Sequence, residues 1–211
     1  MRKSKAEKAE TRKHIVETAS RMFKERGIGA TGVGEIMVAA GLTHSAFYRH
    51  FSSKEELVAE ASSSSMEVFV EAAHTAMKAG PRAFAKYLQN YLNSEYRNGT
   101  LGGCPVVQMG SELAREAEVT RQGVSNGLER LIEFALHSTD GSADAEADAL
   151  FMMSAIIGAI SVSRLVTNAA LSAHVVEVVR ERLAYRPTRQ VGQELAKAPA
   201  VRKARKVSVQ A

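Results

Sequence analysis

Residues 31–57 read TGVGEIMVAAGLTHSAFYRHFSSKEEL, and the fold turns on how this stretch is read. Val33, Ile36, Met37 and Ala40 recur at helical spacing, so a short amphipathic helix is expected over Val33–Ala40. Gly41 follows it, and a residue without Cβ suits the left-handed position that ends a helix. Thr43 then offers a hydroxyl as N-cap to a second helix over His44–His50, whose Ala46 and Phe47, followed by Phe51, are apolar. Two helices of about two turns on either side of a glycine turn form the pattern of a helix-turn-helix.

In that motif the second helix enters the major groove and its first residues meet base edges. The alternative is a plain helical hairpin. Side-chain chemistry separates the two readings. His44, Ser45, Tyr48, Arg49 and His50 are donors suited to phosphates and bases, and no acid occurs from Thr43 to Lys54. An ordinary exposed helix pairs Glu with Lys instead.

Working outward, Ile15, Ala19, Met22 and Phe23 place one apolar stripe on a helix expected over Thr11–Arg26 and stopped by Gly27. Residues 1–10 read as a basic, disordered segment, either an arm that reaches phosphates or a minor groove or a plain solvated tail. Ser53-Lys54-Glu55-Glu56 has the form of a capping box and starts a long helix reaching to Ala79. The Ser62–Ser65 run is expected to weaken that helix, and the domain boundary is placed near it.

Together these residues carry a family pattern: Thr11, Ile15, Ala19, Met22-Phe23, Gly27, Thr31, Ile36, Ala40-Gly41-Leu42-Thr43, Phe47-Tyr48, Phe51, Lys54 and Leu57. Over about the first 57 residues the chain resembles the N-terminal domain of TetR-family transcriptional regulators. Met37 stands where the family usually has Ala, and Ser45 where Gly is frequent. The resemblance implies an all-α fold of about nine helices. Residues 1–57 are then a DNA-binding domain, 58–186 a helical effector-binding and dimerisation domain, and 187–211 a basic disordered tail. It also implies a homodimer built on the last two helices, a double-stranded DNA operator and a small-molecule effector.

Composition agrees with an all-helical reading: 45% of residues are hydrophobic, 6% are aromatic and Trp is absent. Charge is segregated. Residues 1–52 carry ten Lys/Arg against five Asp/Glu, residues 53–179 nine against sixteen, and residues 180–211 nine against two. Basic ends around an acidic middle suit a protein that touches a polyanion with one part only. A single Cys and a charged N-terminus without an apolar stretch point to a reducing cytoplasm, at the nucleoid, with no signal peptide. The longest apolar run, Ala149–Val162, is shorter than the roughly 20 residues a membrane span needs, and is expected to be a buried helix.

Further helices are expected over Pro81–Arg97, Val106–Arg115, Val119–His137, Ala145–Val166 and Leu171–Tyr185. Ser154, Ala155, Gly158, Ser161 and Val162 form a small-residue face suited to a dimer seam.

The candidate DNA contacts are therefore Thr43, His44, Ser45, Tyr48, Arg49, His50 and Lys54, with Thr31 in support. Tyr48 and Lys54 are expected on phosphates, His44 and Ser45 on bases. His50 has an inward, packing alternative. Phe84, Tyr87, Tyr91 and Met109 are candidates for the wall of an effector cavity, as are Phe134, Met152 and Met153; each has the alternative of being plain core. Cys104, in a Gly-Gly-Cys-Pro loop before a helix, is a candidate redox or electrophile sensor if the helix N-terminus lowers its pKa; its alternative is a small buried hydrophobe. The histidines share no metal-ligand spacing, and no catalytic constellation or cofactor motif is present, so neither a metal, a cofactor nor an enzyme is expected. The functional expectation is a repressor released from a palindromic operator by a small-molecule effector, a thiol-reactive one if Cys104 is the sensor. The competing expectation is a chromosome-organising or division-linked DNA-binding protein without an effector.

Overall fold

The computed structural model describes residues 5–93, 103–137 and 144–184. Among these residues there are eight α-helices, one 3₁₀ helix and no strand. Helix α1 spans Lys5–Arg26. It therefore starts six residues before the expected Thr11. Lys, Ala and Glu are strong helix formers, and Glu7 in the first turn suits the positive helix end. Residues 5–10 are thus helical rather than a disordered arm. The α1 stripe is buried as its spacing requires: Ile15, Ala19 and Phe23 are fully buried. Gly27, at φ +90°, ends the helix.

Helix α2 spans Val33–Ala39 and is capped by Gly32. The Glu35 carboxylate accepts from the Gly32 N–H at 2.9 Å. Gly41 adopts φ +70°, and the Leu42 N–H reaches back to the Met37 carbonyl at 2.8 Å to close the turn. The element that follows, His44–Arg49, is a 3₁₀ helix and not the expected α-helix. It is only six residues long, so tighter i→i+3 bonding satisfies its ends, as in Ala46 N–H to Thr43 O at 3.0 Å. Thr43 occupies the cap position without capping through its side chain; its hydroxyl lies 3.2 Å from that of Ser45. Phe47, Phe51, Ile36, Met37 and Phe23 form the centre of the head. Met37, bulkier than the usual family residue, is entirely buried there.

Helix α3, Lys54–Lys78, begins at Ser53, whose hydroxyl accepts from the Glu56 N–H at 3.3 Å. It runs unbroken through the Ser62–Ser65 run. Ser62 and Ser65 are buried, and the same stretch of α3 packs on helix α6, Glu118–His137. A Cβ at Gly123 would collide with Ser63, and one at Gly127 with Met66. The serines mark a close helix crossing, not a weak point. Head and body consequently share one continuous core, in which Met109, Leu113 and Val124 join the residues of α1 to α3.

Gly80, at φ +103°, separates α3 from α4, Pro81–Tyr91, with Pro81 in the first turn. Helix α5, Pro105–Leu113, is the short helix expected there. Helices α7, Ala145–Leu165, and α8, Ala169–Ala184, pack on each other and complete the body. The expectation that the apolar run is simply a buried helix needs correction. Ala149, Ile156, Ala159 and Ile160 are buried, but Phe151, Val162 and Leu165 are exposed. By length and composition α7 could cross a membrane. Its packing against α5, α6 and α8 makes it part of the body's core instead. Residues 94–102, 138–143 and 185–211, the basic tail among them, lie outside the described residues.

Candidate nucleic-acid interface and effector cleft

Phe47 anchors the 3₁₀ helix by inserting into the head core, which leaves the other face outward. Thr43, His44, Ser45, Tyr48 and Arg49 are all exposed, Tyr48 at 67%. Tyr48 is held edge-on between His44, 5.9 Å away, and Phe47, 5.3 Å away. These contacts limit its rotamers before any partner arrives. His50 is half-buried at the end of the row.

A guanidinium fixes this row from behind. Arg12 of α1 donates to the His50 carbonyl, to Glu60 of α3, and to Glu56 at 2.8 Å. Its plane lies 4.0 Å over the Phe51 ring. One side chain thus joins α1, the end of the 3₁₀ helix and the start of α3. The Arg12 hydrogen bond is the largest cause holding the Glu56 carboxyl down to about 2, with the Ser52 backbone N–H next. The Glu56–Glu60 pair at i, i+4 is visible in the sequence, but its partner lies more than forty residues away, and no local signal indicates it.

Thr31 and Lys54 are placed differently from expectation. Thr31 is fully buried and its hydroxyl donates to the Gly27 carbonyl at 2.7 Å, so it braces the turn and faces no solvent. Lys54 is half-buried, with Nζ donating to the Ile28 carbonyl at 2.8 Å. The same turn is gripped from the body. The Glu112 carboxylate of α5 accepts from the Ile28 N–H at 3.1 Å and from the Gly29 N–H at 2.8 Å. Sequence reading missed Glu112, because nothing near residue 112 announces a bond to residue 28.

In the body, α3, α4, α6 and α7 enclose a narrow apolar cleft, partly open to solvent. Five of the seven residues expected on its wall lie there: Phe84, Tyr87, Tyr91, Met152 and Met153. The other two do not. Met109 is buried in the core shared with the head. Phe134 stacks on His74, with ring centres 4.0 Å apart.

Cys104, 2% exposed, also lines the cleft and stands at the N-cap of α5. Burial pushes its thiol up, outweighing the lowering effect of the Val107 and Val106 N–H groups and of Tyr91. This corrects the premise of a lowered pKa behind the sensor reading. Burial likewise pushes the Tyr91 hydroxyl up, with the Cys104 contact adding to it.

On α7 and α8 several apolar residues are exposed. Phe151, Val162 and Leu165 share a face of α7 with exposed Ser154, and a Cβ added at Gly158 would meet open space. Leu171 and Val178 of α8 are exposed as well. Leu165, at 82% exposure, is the most open of these.

Comparison with known proteins places this geometry. Residues 15–61 match the family profile described as bacterial regulatory proteins, tetR family. The HTH-type transcriptional regulator AcrR of Shigella flexneri is 48% identical over 59 residues, which is 28% of this chain and 27% of that relative. The chain thus matches little more than a quarter of the length of the first curated relatives. Similarity to solved structures extends further. The reduced form of Escherichia coli NemR superposes with a TM-score of 0.71 at 19% identity, covering 82% of this chain and 95% of that one. A TetR transcriptional regulator from Chloroflexus aurantiacus gives 0.69 at 23% identity, covering 85% and 97%. These superpositions show a shared fold from head to body.

Proposed function

We propose, from the premise that residues 15–61 form a tetR-family DNA-binding domain, that the chain is a homodimeric, DNA-binding transcriptional repressor released by a small molecule. The observation that carries this reading is the acid-free row of exposed donors on the 3₁₀ helix, held in place by Arg12. His44 and Ser45 begin the element and take the base edges; Tyr48 takes a phosphate; Arg49 is long enough for either. Thr43 supports Ser45 through the hydroxyl contact. Lys54 has donors left for a phosphate beyond its bond to Ile28. Thr31 drops out of the contact set and serves the turn.

The exposed apolar faces of α7 and α8 favour a second copy as their cover. A stripe of Phe, Val and Leu bordered by small residues packs well against its own symmetry mate, and a two-fold interface needs such self-complementarity. Two heads carried this way read half-sites roughly 34 Å apart or a multiple of it. The apolar cleft in the body is the site for the effector. An effector releases DNA only if it binds the DNA-incompetent arrangement more tightly than the competent one.

The test is to select DNA from a random pool on the full-length protein and measure binding by fluorescence anisotropy. A single inverted-repeat sequence bound by a dimer, with affinity falling steeply as salt rises, is expected. Retention of unrelated fragments with equal affinity would instead favour a chromosome-organising protein.

A further inference from the structure

Among the described residues, the walls of the body cleft contain no charged side chain. One wall is aromatic. Phe84 and Tyr87 stack with ring centres 6.4 Å apart, and Phe69 lies 5.5 Å from Tyr91. Met152 and Met153 of α7 also line the cleft. Aromatic faces and flexible thioethers together accept a flat ring, because the rings supply fixed area and the Met side chains adapt to its outline. The free volume of the cleft is about 90 Å³. Entry of a two-ring ligand therefore requires lining side chains to shift, and the Met thioethers are the most adaptable of them.

Polarity is confined. Tyr91 and Cys104, both buried, hydrogen-bond to each other at the start of α5. Arg164 acts on Tyr91 from outside the lining, and its Nη1 donates to Gln108 Oε1 at 3.0 Å. A cation in the cleft would meet no acid among the described residues. An anion would exchange water for neutral hydroxyl and thiol groups, with the Arg164 guanidinium outside the lining and bonded to Gln108. Burying either charge unpaired is strongly unfavourable.

We infer that the cleft takes an uncharged, flat, largely hydrocarbon molecule of one or two fused rings, bearing one hydroxyl or carbonyl group that lies at the Tyr91–Cys104 end. The inference rests on the reading of the chain as an effector-controlled regulator and narrows it. The polar group of such a ligand bonds at the residue from which α5 starts. The far turn of that helix carries Glu112, the acceptor for the head's Ile28 and Gly29 amides.

The experiment uses the full chain and four probes of one shape: 2-naphthol, naphthalene, 2-naphthoate and 2-naphthylmethylammonium. Affinities come from titration calorimetry, with thermal unfolding as a second readout. 2-Naphthol is expected to bind tightest and to raise the unfolding midpoint. Naphthalene, lacking the hydroxyl, is expected about tenfold weaker, and each ion at least ~100-fold weaker. Tyr91→Phe is expected to lower 2-naphthol to the affinity of naphthalene and to leave naphthalene unchanged. Should that variant not fold, the ranking of the four probes on the unaltered chain decides by itself. No binding of 2-naphthol overturns the inference. So does an ion that binds within tenfold of it, or an equal loss for both neutral probes in Tyr91→Phe. Binding to selected DNA is measured on the same preparation. A protein that binds DNA but not 2-naphthol loses the ligand class alone, whereas one that binds no DNA loses the regulator reading.

Discussion

Replacing Glu112 with Ala tests how the body holds the head. The carboxylate accepts two backbone N–H groups, from Ile28 at 3.1 Å and Gly29 at 2.8 Å. Hydrogen bonds to a charged acceptor contribute about 1.5–3 kcal/mol each in protected settings. Gly29 is exposed and Glu112 only half-buried, so solvent competes for both. Discounting for that leaves about 2 kcal/mol for the pair, less than the sum of two protected bonds. The local consequence is larger than the global one. Amides that open about 2 kcal/mol more readily exchange roughly 30-fold faster. Hydrogen exchange followed on a peptide covering residues 24–32 is the assay, with Glu116→Ala, in the turn just after α5, as control. Faster exchange in Glu112→Ala alone is expected, together with a drop in melting midpoint of about 4–8 °C. Glu112→Gln retains one acceptor oxygen and is expected to fall between. If the turn stays as protected as in the unaltered protein, the bonds do not tie head to body, and α5 loses its place as the link between cleft and head.

Four other outcomes are expected. Gly127→Val drives branched carbons into Met66 at the crossing of α3 and α6, so overpacking lowers stability by about 1–3 kcal/mol in denaturant titration; an unchanged midpoint would mean the helices are not that close. The Glu56 carboxyl is held down to about 2, below its unfolded value of about 4.3. Its stabilising effect is therefore full above about pH 4.3 and fades as pH falls toward 2, so the unaltered chain's melting advantage over Glu56→Gln should shrink across that window. Leu165→Glu places a charge on the most exposed apolar residue of α7 and should shift sedimentation from dimer to monomer; an unaltered dimer would put the seam elsewhere. His44→Ala should relax preference at one base position while Tyr48→Phe weakens all sequences alike, by competition anisotropy; affinity and specificity untouched by both would displace the reading surface.

How much of this was legible beforehand depends on the range of the forces involved. Gly27, Gly41 and Gly80 end their helices because a positive φ is a property of one residue and its two neighbours. Ser53 caps α3 because the N–H it accepts from is three residues away. The apolar stripe of α1 and the aromatic residues of α4 follow from period alone. Such features are written locally, so sequence determined the order of helices, the head and its outward donors. Folding decided the rest, through encounters between distant segments. Arg12 meets Glu60 across 48 positions, and Glu112 meets Ile28 across 84. The Ser62–Ser65 run looks like a poor helix until Gly123 and Gly127 lie against it, since small residues favour a crossing only when a second helix supplies the other side. Thr31 and Met109 turned inward for a related reason. Burial depends on what surrounds a side chain in three dimensions, and one strand of letters cannot state it.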